Sequence, residues 1–264
     1  MTTKYDRISA DLRRKIRDGH LAPGERMPAE TALRDVYGVS LLTMRRALDV
    51  LAVEGLIERR QGLGNFVRTP RQRVRRTNER YQWEKARALL PDHERGREGT
   101  SEHDTGLTLP DLRFSAEYKQ IDADDDLAEA FAVAVGTRLL RRTYRTASRD
   151  EVSPLSVSRS HLVLDMIEGN PALLDAGNEP WPGGTYHQLR TVGIEIDRIM
   201  DEITARPPTR DEAEELGARE GVSLLVMRKT AVDTGGRVVD VADVLLAGDR
   251  TELVYSTALP RWPR

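Results

Sequence analysis

Between Ser40 and Val67 the apolar residues change period within one short stretch, and few folds accommodate that change. Met44, Ala47, Leu48 and Leu51 recur at three- and four-residue steps, which puts them on one face of a helix. Leu42, Arg45, Arg46 and Asp49 fall on the opposite face, so two adjacent arginines point away from whatever Met44 and Leu48 bury. Ser40 stands where an N-cap belongs, its hydroxyl placed to accept from a backbone N–H of the first turn. After Gly55 the pattern shortens to Leu56-Ile57-Glu58-Arg59-Arg60 and Asn65-Phe66-Val67-Arg68, two short strands with Gln61-Gly62-Leu63-Gly64 as the hairpin between them.

The residues upstream complete the pattern. Tyr5, Ile8, Leu12 and Ile16 keep helical spacing up to Gly19, and Pro23-Gly24 marks a turn. Pro28 and Glu30 open a second short helix carrying Leu33 and Val36, which Gly38-Val39 breaks. The order is helix, helix, turn, helix, two-stranded wing. A helix that follows a tight turn with its polar face free suits the DNA major groove. Arginine's planar fork grips guanine O6/N7 or a phosphate in bidentate fashion. Gly62 and Gly64 let a wing backbone approach phosphates or the minor groove closely. Alone, Arg45 or Arg46 reads as a solvated surface residue more often than as a contact. The complete order of elements, in a segment 1–70 with 13 basic and 9 acidic residues, points to DNA.

The charge balance of the whole chain hides this. The formal net charge of −2 divides into +8 over residues 1–100 (22 basic, 14 acidic) and −10 over the remainder (19 basic, 29 acidic). A basic first third joined to an acidic remainder fits a polyanion-binding module attached to a different domain. Without cysteine there are no disulfides, thiolate zinc sites or thiol nucleophiles. No apolar run reaches the ~18 residues of a membrane span, and the first residues lack the apolar core of an export signal. The expected compartment is the cytoplasm, at the nucleoid, with no membrane partner. His20, His93, His103, His161 and His187 show no metal-ligand spacing, and no Gly-x-Ser-x-Gly or phosphate-cradling glycine motif appears. Asp124-Asp125-Asp126 reads as an acidic helix start. No catalytic residue, metal or cofactor is therefore assigned.

The expected domains are 1–69, a DNA-binding domain; 70–106, a linker with one helical segment; and 107–264, a mixed α and β domain. The linker holds the basic run Arg71-Gln72-Arg73-Val74-Arg75-Arg76. Within the third segment, residues 127–140 align with 212–225, sharing Ala, Glu, Gly, Leu and Leu in register. Each copy reads as helix, Gly turn, strand and a second strand, so two pseudo-symmetric halves of one sheet are expected, an arrangement that often holds a ligand between its halves.

Residues 5–67 resemble the winged-helix domain of the GntR family of bacterial transcription regulators. The resemblance lies in RDGHLAPGERMPAETAL, YGVSLLTMRRAL and EGLIERRQGLGNFV, with Pro23, Gly24, Pro28, Glu30, Gly38, Ser40, Thr43, Arg45, Arg46, Gly62 and Gly64 in the family's places. Ala29, Thr31 and Leu41 depart from it, standing where the family commonly has Ser, Arg and Arg. The first weakens a helix cap, and the other two leave more of the DNA readout to Thr43, Arg45, Arg46 and the wing. The implied DNA-binding set is Lys4, Thr31, Ser40, Leu41, Thr43, Arg45, Arg46, Gly62 and Gly64, with Lys4 and the basic run adding phosphate contacts.

Residues 107–260 are similar to the effector (UTRA) domain of the HutC subfamily, on GTRLLRRTYRT, SPLSVSRSHL, GGTYHQLRTVGIEIDR and GRVVDVADVLLAGDRTELVYST. The resemblance implies an α+β chain: a winged helix-turn-helix followed by a chorismate-lyase-like antiparallel sheet with helices. It also implies a repressor that acts as a homodimer on a double-stranded operator under a small-molecule effector. Arg142 and Arg145 are the nearest matches to arginines that hold a phosphate or carboxylate in related domains. Ser158 and Asp240 stand at acidic positions of sugar-binding members, Leu246 at a tyrosine position, and Tyr186 and Tyr255 are candidate lining residues. A less polar effector is expected. An architectural DNA-binding dimer without a ligand stays open, as does a lyase-like enzyme using the C-terminal cleft, since fold alone does not settle function.

Overall fold

The computed structural model describes residues 3–69, 71, 73–149, 151–219 and 221–262. Pro70 and Gln72, the latter in the basic run, and Glu220, in the second repeat copy, lie outside them. The chain forms two compact units, residues 1–72 with the short segment 218–223, and residues 73–217 with 224–264.

The first unit runs α1 (Lys4–Arg17), α2 (Glu30–Tyr37), α3 (Leu41–Val53), β1 (Ile57–Arg60) and β2 (Gly64–Val67). Thr3 and Asp6 cap α1 reciprocally. Gly38, left-handed at φ 62°, ends α2, a conformation that glycine adopts without a Cβ penalty. Ser40 Oγ then accepts from the Thr43 N–H at 3.2 Å and starts α3. Ile8, Leu12, Met27, Leu33, Met44, Ala47, Leu48, Leu51, Ile57 and Val67 form one buried core, so the stripe read from the sequence faces inward. The antiparallel wing pairs Ile57 with Val67 and Arg60 with Gly64.

The second unit opens with β3 (Val74–Thr77), α4 (Arg80–Arg87), α5 (Asp92–Arg95) and α6 (Thr100–Thr105). The segment expected as a linker is thus built into this unit from Arg73 onward. The physical reason is pairing: β3 lies parallel to the last strand, β10 (Thr251–Val254), with Val74 opposite Thr251. Arg76 and Arg80 both meet Asp104 of α6.

There follow β4 (Leu112–Asp122), α7 (Asp125–Phe131), β5 (Arg138–Ser148), β6 (Ser156–Val163), α8 (Leu164–Ile167), α9 (Gly184–Arg190), β7 (Ile196–Arg206), α10 (Arg210–Leu216), β8 (Leu224–Asp233) and β9 (Val238–Ala247). Six of these strands form an antiparallel sheet in the order β4-β5-β6-β9-β8-β7. The order is a near-palindrome: strand, helix, strand, strand occurs twice, and the two copies meet where β6 pairs with β9 through Arg159 and Asp243. α7 and α10 begin at equivalent places of the two repeat copies, each with a side-chain cap, from Asp124 and Thr209. One sheet face packs α7 through Leu127, Ala128, Phe131, Leu139 and Val241. The other packs Leu140 and Leu162 with Ile167, Leu173, Tyr186 and Leu189.

Candidate nucleic-acid interface and effector cleft

In the first unit the core residues of α3 fix which way the others point. Leu42, Arg45, Arg46 and Asp49 are all exposed. Arg45 Nε donates to Glu30 Oε2 of α2 at 2.8 Å, so this arginine is braced across the two helices. Asp49 pairs with Arg59 of the wing. Arg46 has no hydrogen bond or ion pair among the described residues. Thr43 is half-buried and shares a 2.9 Å hydroxyl contact with Ser40, whose Oγ serves the cap. Lys4 and Thr31 are exposed at the starts of α1 and α2, and Leu41 is half-buried at the start of α3. Ala29 gives α2 no side-chain cap.

The wing tip needs its glycines for conformation: Gly62 has φ +73° with open space where a Cβ would stand, and Gly64 has φ +105°. Arg60 lies 4.3 Å over the Phe66 ring, which holds it along the strand. Of the basic run, Arg76 is engaged within the second unit. It is half-buried 3.3 Å from Asp104, and burial together with neighbouring Arg80 brings its pKa down to about 10.

In the second unit the sheet register lays out a floor. Along one row Tyr144 stands opposite Ser158, Ser158 opposite Val244 and Val244 opposite Met227. In a neighbouring row Phe114, Thr146 and Ser156 are adjacent. These residues line a cleft of about 300 Å³ whose walls come from α4 to α6 (Trp83, Arg87, Ser101) and from the loop before α9 (Glu179, Trp181).

Beside the floor, on the same sheet face, lies a buried polar network. Arg142, 1% exposed, donates to Ser160 Oγ through Nε (3.2 Å) and a terminal nitrogen (2.6 Å), and to Gln188 Oε1 at 2.6 Å. Ser160 Oγ in turn donates to Asp240 Oδ1 at 2.5 Å. Among the described residues Asp240 Oδ2 accepts no hydrogen bond and has the Lys229 ammonium 3.4 Å away. Glu179 collects three donors on one oxygen: Tyr118, Tyr144 (2.8 Å) and Gln188 (2.8 Å). The Trp181 N–H serves its other oxygen at 2.7 Å. Burial, with the Glu179 charge alongside, pushes the Tyr118 phenol up to about 12 and that of Tyr144 higher still. Burial opposes the charge on Arg142, yet Tyr144, Asp240, Tyr118 and Glu179 around it hold its pKa above the ordinary value.

The effector candidates therefore separate. Ser158 lines the cleft, and Arg142 and Asp240 are buried beside it without lining it. Arg145, three residues on, projects from the opposite sheet face by the two-residue period of a strand, where it meets Glu215 of α10 at 2.7 Å. Tyr186 belongs to the core, and Tyr255 reaches Asp201 at 3.4 Å, away from the cleft lining. Sequence reading missed Glu179, Trp181, Gln188, Lys229 and the whole wall from 76 to 102. The only signal for the first two was Glu179-Pro-Trp-Pro-Gly-Gly184, a Pro/Gly-dense turn that carries both a carboxylate and a large aromatic ring.

A model of the gntR family of bacterial regulatory proteins matches residues 4–67, and a model of the UTRA domain matches 115–252, more than half of the chain. The chain belongs to the GntR family. These families are regulators of transcription rather than enzymes. This GntR regulator is similar to the HTH-type transcriptional repressor NagR of Bacillus subtilis (strain 168), at 25% identity over 95% of this chain and 93% of that one. Its DNA-binding part is 39% identical over 67 residues to the mannosyl-D-glycerate transport/metabolism system repressor MngR of Escherichia coli (strain K12), covering 25% of this chain and 28% of that one. Among solved structures, that of a GntR-family transcriptional regulator matches with a TM-score of 0.69 at 25% identity, over 98% of both chains. PhnF from Mycobacterium smegmatis shares the fold, with a TM-score of 0.51 at 22% identity over 96% of this chain and 99% of that one. No helix among the described residues of the regulator is long and apolar enough to cross a membrane.

Proposed function

We propose that this GntR regulator is a cytoplasmic repressor that grips a roughly two-fold symmetric operator as a homodimer and changes its hold when a small molecule enters the cleft. One winged helix buries too little DNA surface for a tight specific site, so two are needed. The observation that carries the allosteric part is the path of the chain. The first elements after the wing in the sequence are β3 and α4, whose Arg76, Arg80 and Trp83 form a wall of the cleft. A ligand that holds this wall against the sheet selects among arrangements of the segment leading from the wing, which is the differential contact allostery requires. The relatives NagR and MngR are named repressors.

The effector in this reading is less polar than a sugar phosphate. The donors of Arg142 are occupied within the network and Arg145 faces away. Trp83, Phe114, Tyr144 and Trp181 offer aromatic surface instead. Low-micromolar binding of an amino-sugar phosphate would overturn this assignment.

The test is binding of the purified protein to DNA upstream of its own coding region at several salt concentrations, with Arg45→Ala and Arg46→Ala in parallel. Each substitution is expected to cost ~1–3 kcal/mol in operator binding if the side chain meets a base. Unchanged affinity in both variants would remove α3 from the interface. Sedimentation of the complex reads two protein chains per operator in this reading, and one chain would refute the dimer.

A further inference from the structure

The outward face of α3 carries charged side chains and two exposed apolar ones, Leu42 at its N-terminal end and Val53 at its last residue. Arg45 is tied to Glu30, Asp49 to Arg59, and Arg46 reaches into solvent. Leu42, one turn before Arg46, leaves 62% of its surface exposed. A single exposed leucine is ordinary elsewhere on a protein surface. Here it is the second residue of the recognition helix, at the end whose side chains meet base edges in helix-turn-helix complexes. Leucine has neither donor nor acceptor, so it cannot read the hydrogen-bonding edge of any base. The one apolar group that base pairs present in the major groove is the C5-methyl of thymine.

We propose that Leu42 packs on a thymine methyl and makes a T·A pair a specificity element of each half-site. The inference rests on α3 being the DNA-reading helix. Its geometry is definite: Arg46 lies one turn further along, about 6 Å by helical rise, which is on the order of two base-pair steps of about 3.4 Å. The thymine therefore falls within about two base pairs of the position that Arg46 contacts. The fixed neighbours favour this pairing, because Glu30 braces Arg45 and Arg59 braces Asp49, while at the N-terminal end of this face Leu42 is exposed and Arg46 has no hydrogen bond or ion pair among the described residues.

The experiment begins with selection of preferred sites from a random duplex pool by the full-length protein. Each thymine of the selected half-site is then replaced by deoxyuridine, which deletes the methyl and leaves base pairing unchanged. For the wild-type protein one such replacement is expected to weaken binding about fourfold per half-site, the order of burying one methylene-sized group. In Leu42→Ala the same replacement should weaken binding by less than about 1.5-fold. Leu42 is exposed, so this variant keeps the wild-type melting temperature, and the wild-type series alone already tests the proposal. A selected site in which every thymine tolerates deoxyuridine overturns the assignment of Leu42 and leaves DNA reading by α3 intact. So does a penalty that persists unchanged in Leu42→Ala. A pool that yields no preferred sequence overturns the DNA-reading role of α3, and this inference with it.

Discussion

Arg142 shows how a side chain can have the chemistry expected of a ligand contact and yet be committed elsewhere. From sequence it was a candidate for an effector's anion. In the fold its fork is closed by Ser160 and Gln188, with Asp240 3.7 Å away, and Tyr144 lies under its charge. Ser160, Gln188 and Asp240 all lie far from it in sequence, which is why the network was illegible there; only the strand period, placing Arg142 with Tyr144 and opposite Arg145, was available in advance. A buried ion network is costly to open from one side. Arg142→Met should lower stability by ~3–5 kcal/mol in urea unfolding, because it strands the buried Asp240 carboxylate. Pairing it with Asp240→Asn should recover part of that loss, and a fully additive double variant would argue against the coupling.

At the scale of elements, the first unit was legible and the wall of the cleft was not. The period of Met44, Ala47, Leu48 and Leu51 is local information, and Ser40 announces the start of α3 in the sequence itself. The stretch 73–106 carries so many charges that it reads as solvated. It is folded because Arg76 and Arg80 are neutralised by Asp104 and Glu84 and because β3 finds a strand near the other end of the chain. The weak cap expected at Ala29 is present as a missing hydrogen bond, so Ala29→Ser should raise the stability of the first unit by ~0.5–1 kcal/mol while Ser40→Ala lowers it by about the same. Thermal melts of the two variants that move in the same direction would contradict this. In the second unit, α10 is anchored by Glu212, which accepts from Arg206 through both oxygens at 2.6 Å and from the Thr209 N–H. The Arg206 bonds, the largest cause, hold its carboxyl down at about 2. A folded-state pKa below the unfolded one stabilises above the unfolded value and is lost as pH falls through the folded one. The stability gap between wild type and Glu212→Gln should therefore be full at pH 7 and close as pH falls from about 4.5 toward 2, and a gap flat with pH would exclude this anchor.

For the whole molecule, two units with separate buried cores predict that calorimetry resolves more than one transition, or a van't Hoff enthalpy below the calorimetric one. Operator DNA should raise the transition of the first unit and a cleft ligand that of the second; a single two-state melt with equal enthalpies would refute independent cores. The pseudo-symmetric sheet was foreshadowed by five matching residues in the repeat, but not its consequence for the cleft. Tyr144 and Lys229 occupy equivalent positions of the two halves, and both line it. Identical halves would have made a floor that looks the same from either end. With a phenol at one position and an ammonium at its counterpart, the floor has a head and a tail. A molecule with unlike ends that enters the cleft then has one favoured heading, and its reversed isomer should bind more weakly.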